Sequence, residues 1–345
     1  YPMNIEYFDP VTLTSGLSQD AGFRIHGNNS RALGISNLRL YARTDYDNTD
    51  VFEHQFFSQQ IPGAANPNNN KYNRLMLRGD GAGGSIAYDV VFNRSMQPVF
   101  NGIGRIQQAL HFINGEFWGI TALRDRMDKY HYANNFDLDK DNIVQIECGG
   151  SNCDLGEGTN ADYQGFIDFR NFIMQNNMAD NAVYTQVANQ MDMGSFIDHM
   201  LMEIYACNDS YERTFWKVRT PGNQQYGDGK WRVAVQDFEA SLKSSTNWMA
   251  YWASTTTSAN ESMFGYLLAN TGFRNQFINR FADMLNTALT TTRFNSIVND
   301  TFNELAPYMA EDANRFPRLN FYKNSEKTNL LNWGTSRPAI QREQI

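Results

Sequence analysis

The sequence is poor in cysteine, in long apolar runs and in clustered positive charge. It has three cysteines in 345 residues, and no apolar stretch approaches the roughly 18 residues that a membrane-spanning helix needs. We therefore predict no membrane span. Lysine and arginine number 29 against 37 aspartates and glutamates, and the basic residues form no stripe. Because nucleic-acid backbones are held by clustered cations, this balance argues against a nucleic-acid partner.

Two of the three cysteines, Cys148 and Cys153, stand close together around a glycine-containing loop. The two glycines and the asparagine between them allow the tight loop that disulfide geometry requires. No second cysteine or histidine pair follows at the spacing of a zinc site, and the five histidines form no metal-spaced pair. The spacing favours a disulfide, with two free thiols or a metal site as the alternatives.

Composition also bears on where the protein acts. Asparagine, tyrosine and tryptophan are frequent and lysine is scarce, which suits an exported protein. We expect an extracellular or cell-surface location. Tyr1 is neither an initiator methionine nor the start of a charged and then apolar leader, so we expect a mature or trimmed fragment. The tail after Phe316 is polar and weakly periodic, and we expect it to lead to further domains of a larger multidomain protein.

The apolar pattern changes along the chain from a period of two to a helical period. This change predicts an α+β protein, and an apolar fraction of 41% is enough for a large core. The predicted division is a β-rich unit over residues 1–125, a helical unit over residues 126–316 and a polar C-terminal tail over residues 317–345.

Local signals support both halves of this division. Asn114-Gly115 can supply the positive φ angles of a type I′ turn, which predicts a β-hairpin. Phe273, Phe277 and Phe281 are each four residues apart, which indicates the buried face of a helix.

Three carboxylates form the strongest candidate site. Asp209 follows a helix with a buried face, and Asp237 and Glu239 follow a short strand later in the chain. Residues two apart on an extended chain point to the same side. Such a group suits a divalent cation together with a proton acceptor, and an acidic surface patch is the alternative.

Several sequence blocks carry a family resemblance. In chain order they are Gly22-Phe23-Arg24-Ile25-His26-Gly27-Asn28-Asn29-Ser30-Arg31, Leu38-Arg39-Leu40-Tyr41, Leu77-Arg78-Gly79-Asp80-Gly81, Asn114-Gly115-Glu116-Phe117-Trp118-Gly119, Leu123-Arg124-Asp125-Arg126-Met127-Asp128, Asn208-Asp209, Gly229-Lys230-Trp231-Arg232 and Asp237-Phe238-Glu239. Together they resemble the CotH family of secreted, atypical protein kinases over roughly residues 5–315.

This resemblance implies an atypical protein-kinase fold, with a β-rich N-terminal lobe and a mostly helical C-terminal lobe. It also implies that ATP and Mg²⁺ or Mn²⁺ are used to phosphorylate a protein serine or threonine. Asp209 would be the catalytic carboxylate that orients the hydroxyl and accepts its proton. Asp237 would be the second catalytic residue and would hold the metal together with Glu239.

The resemblance assigns phosphate contacts to three arginines, since a guanidinium presents a donor fork to phosphate oxygens. They are Arg31, Arg124 and Arg126. We expect Arg124 and Arg126 to face the cleft between the lobes. The alternative is that one of them pairs structurally with Glu116 or Asp128.

The sequence departs from the family pattern at positions that shape the site. Ile35 and Ser36 stand where the family usually has lysines, and Arg213 and Thr214 stand where it usually has two asparagines. Kinases use such an asparagine to coordinate a second metal, so these two residues alter the pocket. Glu239 replaces the more usual aspartate.

These departures leave three kinds of function open. The first is an exported kinase that acts on a protein substrate or on a cell-surface or coat partner. The second is a non-catalytic pseudokinase that serves as a surface- or glycan-interaction module. The third is a repurposed carboxylate enzyme, such as a glycan hydrolase, that uses the same cleft.

Overall fold

A computed structural model describes most of the chain: residues 1–27, 37–79, 85–149, 152–209, 212–235, 237–243, 247–256, 263–316 and 324–345. The described residues combine helices with antiparallel sheets, which confirms the α+β class.

The strands form two main sheets and a small ribbon. They are β1 (Pro2–Phe8), β2 (Ser15–His26), β3 (Asn37–Tyr41), β4 (Phe52–Glu53), β5 (Lys71–Tyr72), β6 (Arg74–Arg78), β7 (Ile106–Ile113), β8 (Glu116–Asp125), β9 (Ile143–Gly149), β10 (Asn152–Glu157), β11 (Arg213–Val218) and β12 (Arg232–Val235). One sheet has the order β1-β2-β3-β6-β8-β7 and the other the order β10-β9-β11-β12, while β4 and β5 form the ribbon.

The helices dominate the second half of the chain. They are α1 (Ile86–Met96), α2 (Lys129–Phe136), α3 (Asn160–Gln175), α4 (Asn181–Ala188), α5 (Met193–Ala206), α6 (Trp248–Ala253), α7 (Phe264–Leu267), α8 (Thr271–Asn286), α9 (Thr291–Leu305), α10 (Met309–Arg315) and α11 (Asn324–Gln344). Of the helices in the described ranges, none has the length and apolar character needed to cross a membrane.

Both local predictions are confirmed. β7 and β8 form a hairpin whose turn residues Asn114 and Gly115 have φ angles of 52° and 81°. In α8, Phe273, Phe277 and Phe281 are fully buried in the main core. Backbone conformation and side-chain spacing were therefore sufficient signals at these two places.

Helix α1 was not predicted as a helix; it lies within residues 1–125, which we expect to be mainly strands and turns. It packs against α9 and α11 and joins the same apolar core as α5 and α8. Nearly every residue of α1 is buried, including Ile86, Val90 and Phe92. A helix buried on all sides has no polar stripe, so its sequence lacks the helical period that reveals an amphipathic helix.

The C-terminal segment 324–344 is helical, although its sequence is polar and weakly periodic. Helix α11 packs against α9 and buries Leu330 in the main core. The buried Arg337 donates from Nε to the carbonyl of Tyr205 at 3.0 Å and from Nη2 to the carbonyl of Ile204 at 2.7 Å. These carbonyls belong to the last turn of α5, where helix carbonyls lack partners within the helix. The last helix therefore completes the end of α5.

The predicted disulfide is confirmed. Cys148 on β9 lies directly opposite Cys153 on β10, and their sulfurs are bonded. Cys148 also lies opposite Arg213 on the neighbouring strand β11. The bond thus ties the edge strand of the second sheet to the strand beside Arg213.

Replacing both cysteines with serine is expected to lower the melting temperature by only about 3 °C. The bond closes a loop with a sequence separation of 5, and chain entropy gives such a loop about 2 kcal/mol. Thermal unfolding with and without reductant measures the effect, and the double variant should not respond to reductant. Alkylation of both thiols in the oxidised wild-type protein would contradict the assignment.

Candidate functional site

Several hydrogen bonds join the end of α5 and the residues after it to the segment that follows β12. Helix α5 ends at Cys207, whose left-handed backbone (φ 48°) turns the chain outward. The Asn208 side chain then donates to the carbonyl of Asp237 at 2.7 Å, and the Asp209 amide donates to the carbonyl of Ala240 at 3.2 Å. Asp209 is exposed beside the buried segment that carries Asp237.

Asp237 and Glu239 converge on one arginine, Arg78, at the end of β6. Arg78 Nη2 lies 2.7 Å from Asp237 Oδ2, and the same nitrogen donates to Glu239 Oε2. Asp237 Oδ1 also accepts the backbone amide of Glu239 at 3.1 Å. Both carboxylates are largely shielded from solvent, so their common cation offsets a repulsion that water screens only weakly.

A third carboxylate, Asp89 of α1, lies behind this group. It is fully buried and accepts from Arg124 Nη1 at 2.7 Å and from the Phe238 amide at 3.1 Å. The Glu239 carbonyl in turn accepts the amide of Ser85, just before α1. Two hydrogen bonds thus fix the start of helix α1 to the Asp237 segment, one through the Asp89 side chain and one through the Ser85 amide.

Burial dominates the electrostatics of the site. It raises the pKa of Glu239 to about 7, with Arg78 opposing the rise and Asp237 adding to it. Burial also raises the pKa of Asp89, against the attraction of Arg124 and Arg78. Burial alone would lower the pKa of Arg78, but Asp237, Glu239 and Asp89 hold it well above its ordinary value. Arg78 is therefore charged at any physiological pH.

Arg213 and Thr214 are buried at the start of β11, opposite Val235 and Ala234 of β12. The Arg213 guanidinium carbon lies 5.6 Å from the centroid of the Trp252 ring. Arg213 and Thr214, the two residues that alter the pocket, therefore lie in the second sheet, and Arg213 contacts Trp252 of α6.

The charge of Arg213 acts on two buried residues of α5. Burial, with a smaller contribution from Arg213, lowers the pKa of His199 to about 3. Burial raises the pKa of Glu203 to about 8, although Asn208 and Arg213 oppose the rise. Both side chains are consequently uncharged at neutral pH, and Arg213 is the charged member of this inner group.

The predicted phosphate contacts are not gathered at one point in the described residues. Arg31 lies outside the described residues, as do Ile35 and Ser36. Arg124 points to Asp89 in the site, whereas Arg126 Nε donates to Asp128 Oδ2 at 3.0 Å. The pairing of Arg126 is the structural alternative raised for this position. The assignment of these arginines to phosphate binding stays a prediction.

Two residues of the site were not recognised from sequence. Arg78 stands in the Leu77-Arg78-Gly79 block, which carries the family resemblance but assigns it no role in the site. Asp89 gave one usable signal, since it is a charged residue within the otherwise apolar segment Ile86–Phe92. Charged residues are almost never fully buried unless they are paired.

The carboxylate oxygens of the site meet the needs of a divalent cation such as Mg²⁺ only in part. No group of three or more histidine, cysteine, aspartate or glutamate side chains in the described ranges could hold a metal by itself. Mg²⁺, however, usually binds through one or two carboxylates together with substrate phosphates. Asp237 and Glu239 offer such a pair, and the Arg78 guanidinium takes the position of the cation between them.

The fold and site define an α+β protein with a buried arginine–carboxylate centre beside an exposed aspartate. Its sequence matches the family model described as CotH kinase protein over residues 23–340. The chain therefore belongs to the CotH kinase family and is a kinase-like protein, which confirms the resemblance. None of the curated proteins compared with the chain matches it.

Proposed function

We propose that this protein is an exported phosphotransferase that moves the terminal phosphate of ATP to a protein hydroxyl. The observation that carries the proposal is the convergence of Asp237 and Glu239 on Arg78, with Asp209 tied to the same segment. In the same proposal, the six-stranded sheet and the helical part serve as the two lobes of a kinase fold.

Asp209 has the exposure that a catalytic base requires. It lies at the surface just after α5, and the hydrogen bond from its backbone amide to the carbonyl of Ala240 fixes its backbone. From there its carboxylate can accept a hydrogen bond from a serine or threonine hydroxyl and then its proton.

Arg78 and Asp89 resemble one arrangement of kinases in part, although the ion pair that Asp89 makes is with Arg124. Protein kinases pair a strand lysine, which contacts the phosphates, with a carboxylate on a neighbouring helix. Here the strand cation is Arg78, and Asp89 on α1 is among the carboxylates that hold its charge. The guanidinium of Arg78 could turn from the carboxylates to phosphate oxygens, and Asp237 and Glu239 would then be free to bind a cation. A divalent cation bound there would neutralise charge on the phosphates.

Thermal-shift measurements with ATP and Mg²⁺ or Mn²⁺ test this proposal, together with transfer of radiolabelled phosphate to the protein or to a generic substrate. We expect stabilisation by the metal–nucleotide mixture and its loss in Asp237→Asn. Asp209→Asn should keep the stabilisation and lose the transfer. Absence of both stabilisation and transfer in the wild-type protein would reject the proposal.

A non-catalytic kinase fold is the second candidate, and the two residues at the start of β11, Arg213 and Thr214, favour it. Arg213 and Thr214 stand where the family has asparagines, and the buried Arg213 adds positive charge near Glu203 of α5. Such a charge opposes a second divalent cation. In this case the Arg78 pairs would serve only to hold the sheet to the helical part.

Replacing Arg213 and Thr214 with asparagine separates the two candidates. We expect the double variant to melt at a lower temperature, because it loses the contact of Arg213 with Trp252. It should nevertheless show a larger shift with Mn²⁺–ATP than the wild-type protein. Thr214→Asn alone provides a milder variant that keeps Arg213. If neither variant nor the wild-type protein responds to nucleotide, the non-catalytic function is favoured.

A further inference from the structure

A second polar cleft lies away from the Arg78 site, at the opposite end of the same strand. It has a volume of about 250 Å³ and is lined chiefly by Tyr41, Arg43, Asp45, Asp50, Arg74 and Tyr130. Arg74 and Arg78 are the first and last residues of β6, which places their backbones about 13 Å apart. The cleft is therefore separate from the proposed catalytic site, and we call it the Tyr41 cleft.

Positive charge is concentrated around Tyr41. The guanidinium carbons of Arg43, Arg74 and Arg24 lie 4.9, 5.7 and 5.8 Å from the centroid of its ring. Arg74 is neutralised by Asp128 at 2.9 Å. Within the described ranges, neither Arg24 nor Arg43 has a carboxylate within salt-bridge distance. Both are exposed, and Arg43 lines the cleft, so its guanidinium is available there to an anionic group.

The same cleft also carries negative charge. Asp45 and Asp50 line it as exposed carboxylates, and they would accept hydrogen bonds from hydroxyl groups of a ligand. They would also repel a dianionic phosphate more strongly than a single carboxylate. Burial raises the pKa of Tyr41, so its hydroxyl stays protonated and can act as a donor.

We propose that the Tyr41 cleft binds an acidic sugar, namely a uronate unit of a glycan. Arg43 would hold the carboxylate, and Asp45 and Asp50 would receive the hydroxyl groups. The volume is slightly below the roughly 300–1,000 Å³ of sites for drug-sized ligands, which suits a single sugar ring or one ring of a longer chain. This site would give an exported protein a means of attachment to an acidic glycan, independent of phosphate transfer.

Titration of the full chain with glucuronate, observed by nuclear magnetic resonance or calorimetry, tests the proposal. Glucose is the neutral comparison, and glycine tests for a zwitterion site. We expect saturable binding of glucuronate that weakens with salt, and at least about tenfold weaker binding in Arg43→Gln. Arg315→Gln is the matched control, because Arg315 is also exposed and lies 5.2 Å from the centroid of an aromatic ring, that of Trp118.

Several outcomes would overturn the proposal. They are the absence of saturable binding to glucuronate or to an oligomer of it, equal affinity for glucose, tighter binding of glycine, and equal losses in Arg43→Gln and Arg315→Gln. Arg43 is exposed, so its replacement should leave the fold intact. Asp237→Asn should bind glucuronate as the wild-type protein does, which separates this site from the proposed phosphotransferase.

Discussion

Replacing Arg78 with methionine is expected to lower the free energy of unfolding by about 3–5 kcal/mol at mildly alkaline pH. The replacement leaves Asp237 and Glu239 side by side without their common cation. Denaturant unfolding measures the change. Arg94→Met is the matched control, because Arg94 pairs with the half-exposed Glu304 and should cost only about 1 kcal/mol or less.

The loss caused by Arg78→Met should depend on pH. The folded pKa of Glu239 is about 7, above its ordinary value of 4.5, so its protonation favours the folded state. That contribution is complete below pH 4.5 and disappears as the pH rises through 7. Without Arg78, which lowers this pKa, the folded value rises further. The difference between variant and wild type should therefore be smallest near about pH 5 and grow toward about pH 8.

A loss that is the same at every pH would show that Arg78 acts by packing alone. A loss no larger than that of Arg94→Met would contradict the buried pairing itself.

Replacing Asp209 with asparagine is expected to lower the rate of phosphate transfer roughly 10²–10⁴-fold, the range for removal of a general base. The amide cannot accept the hydroxyl proton, but it has nearly the same shape. Because Asp209 is exposed, the melting temperature and the KM for ATP should stay close to those of the wild-type protein. Steady-state kinetics with a protein substrate measure the effect.

Asp283→Asn serves as the control, since Asp283 is an exposed aspartate on α8 far along the chain from the site. If Asp209→Asn transferred phosphate at the wild-type rate, the base would have to be another residue. Glu212 would then be the first to examine, because burial and Asp237 raise its pKa.

Signals within a short stretch of chain predicted local structure well. The Asn114-Gly115 turn follows from backbone preference, and the α8 face follows from side-chain spacing. The link between Cys148 and Cys153 belongs to the same class, since their sequence separation is only 5. In each case the interacting groups are neighbours in sequence.

The long-range pairs could not be predicted in this way. Arg78 and Asp237 are 159 residues apart, and the bond between them leaves no periodic trace. Helix α1 was missed for a related reason, because burial on every side removes the polar stripe that marks a surface helix. The positions of Asp237 and Glu239 after a strand, together with the family resemblance, indicated these two carboxylates, whereas their cation emerged only from the folded chain.

The contact between α11 and α5 gives the end of the chain a mechanical connection to the proposed active site. Arg337 donates hydrogen bonds to the carbonyls of Ile204 and Tyr205, and Asp209 follows only four residues after Tyr205. A displacement of the C-terminal helix would therefore reach the end of α5 directly through these two hydrogen bonds. A protein fused to this helix, or a surface that anchors it, would thus be connected mechanically to the Asp209 segment through α5.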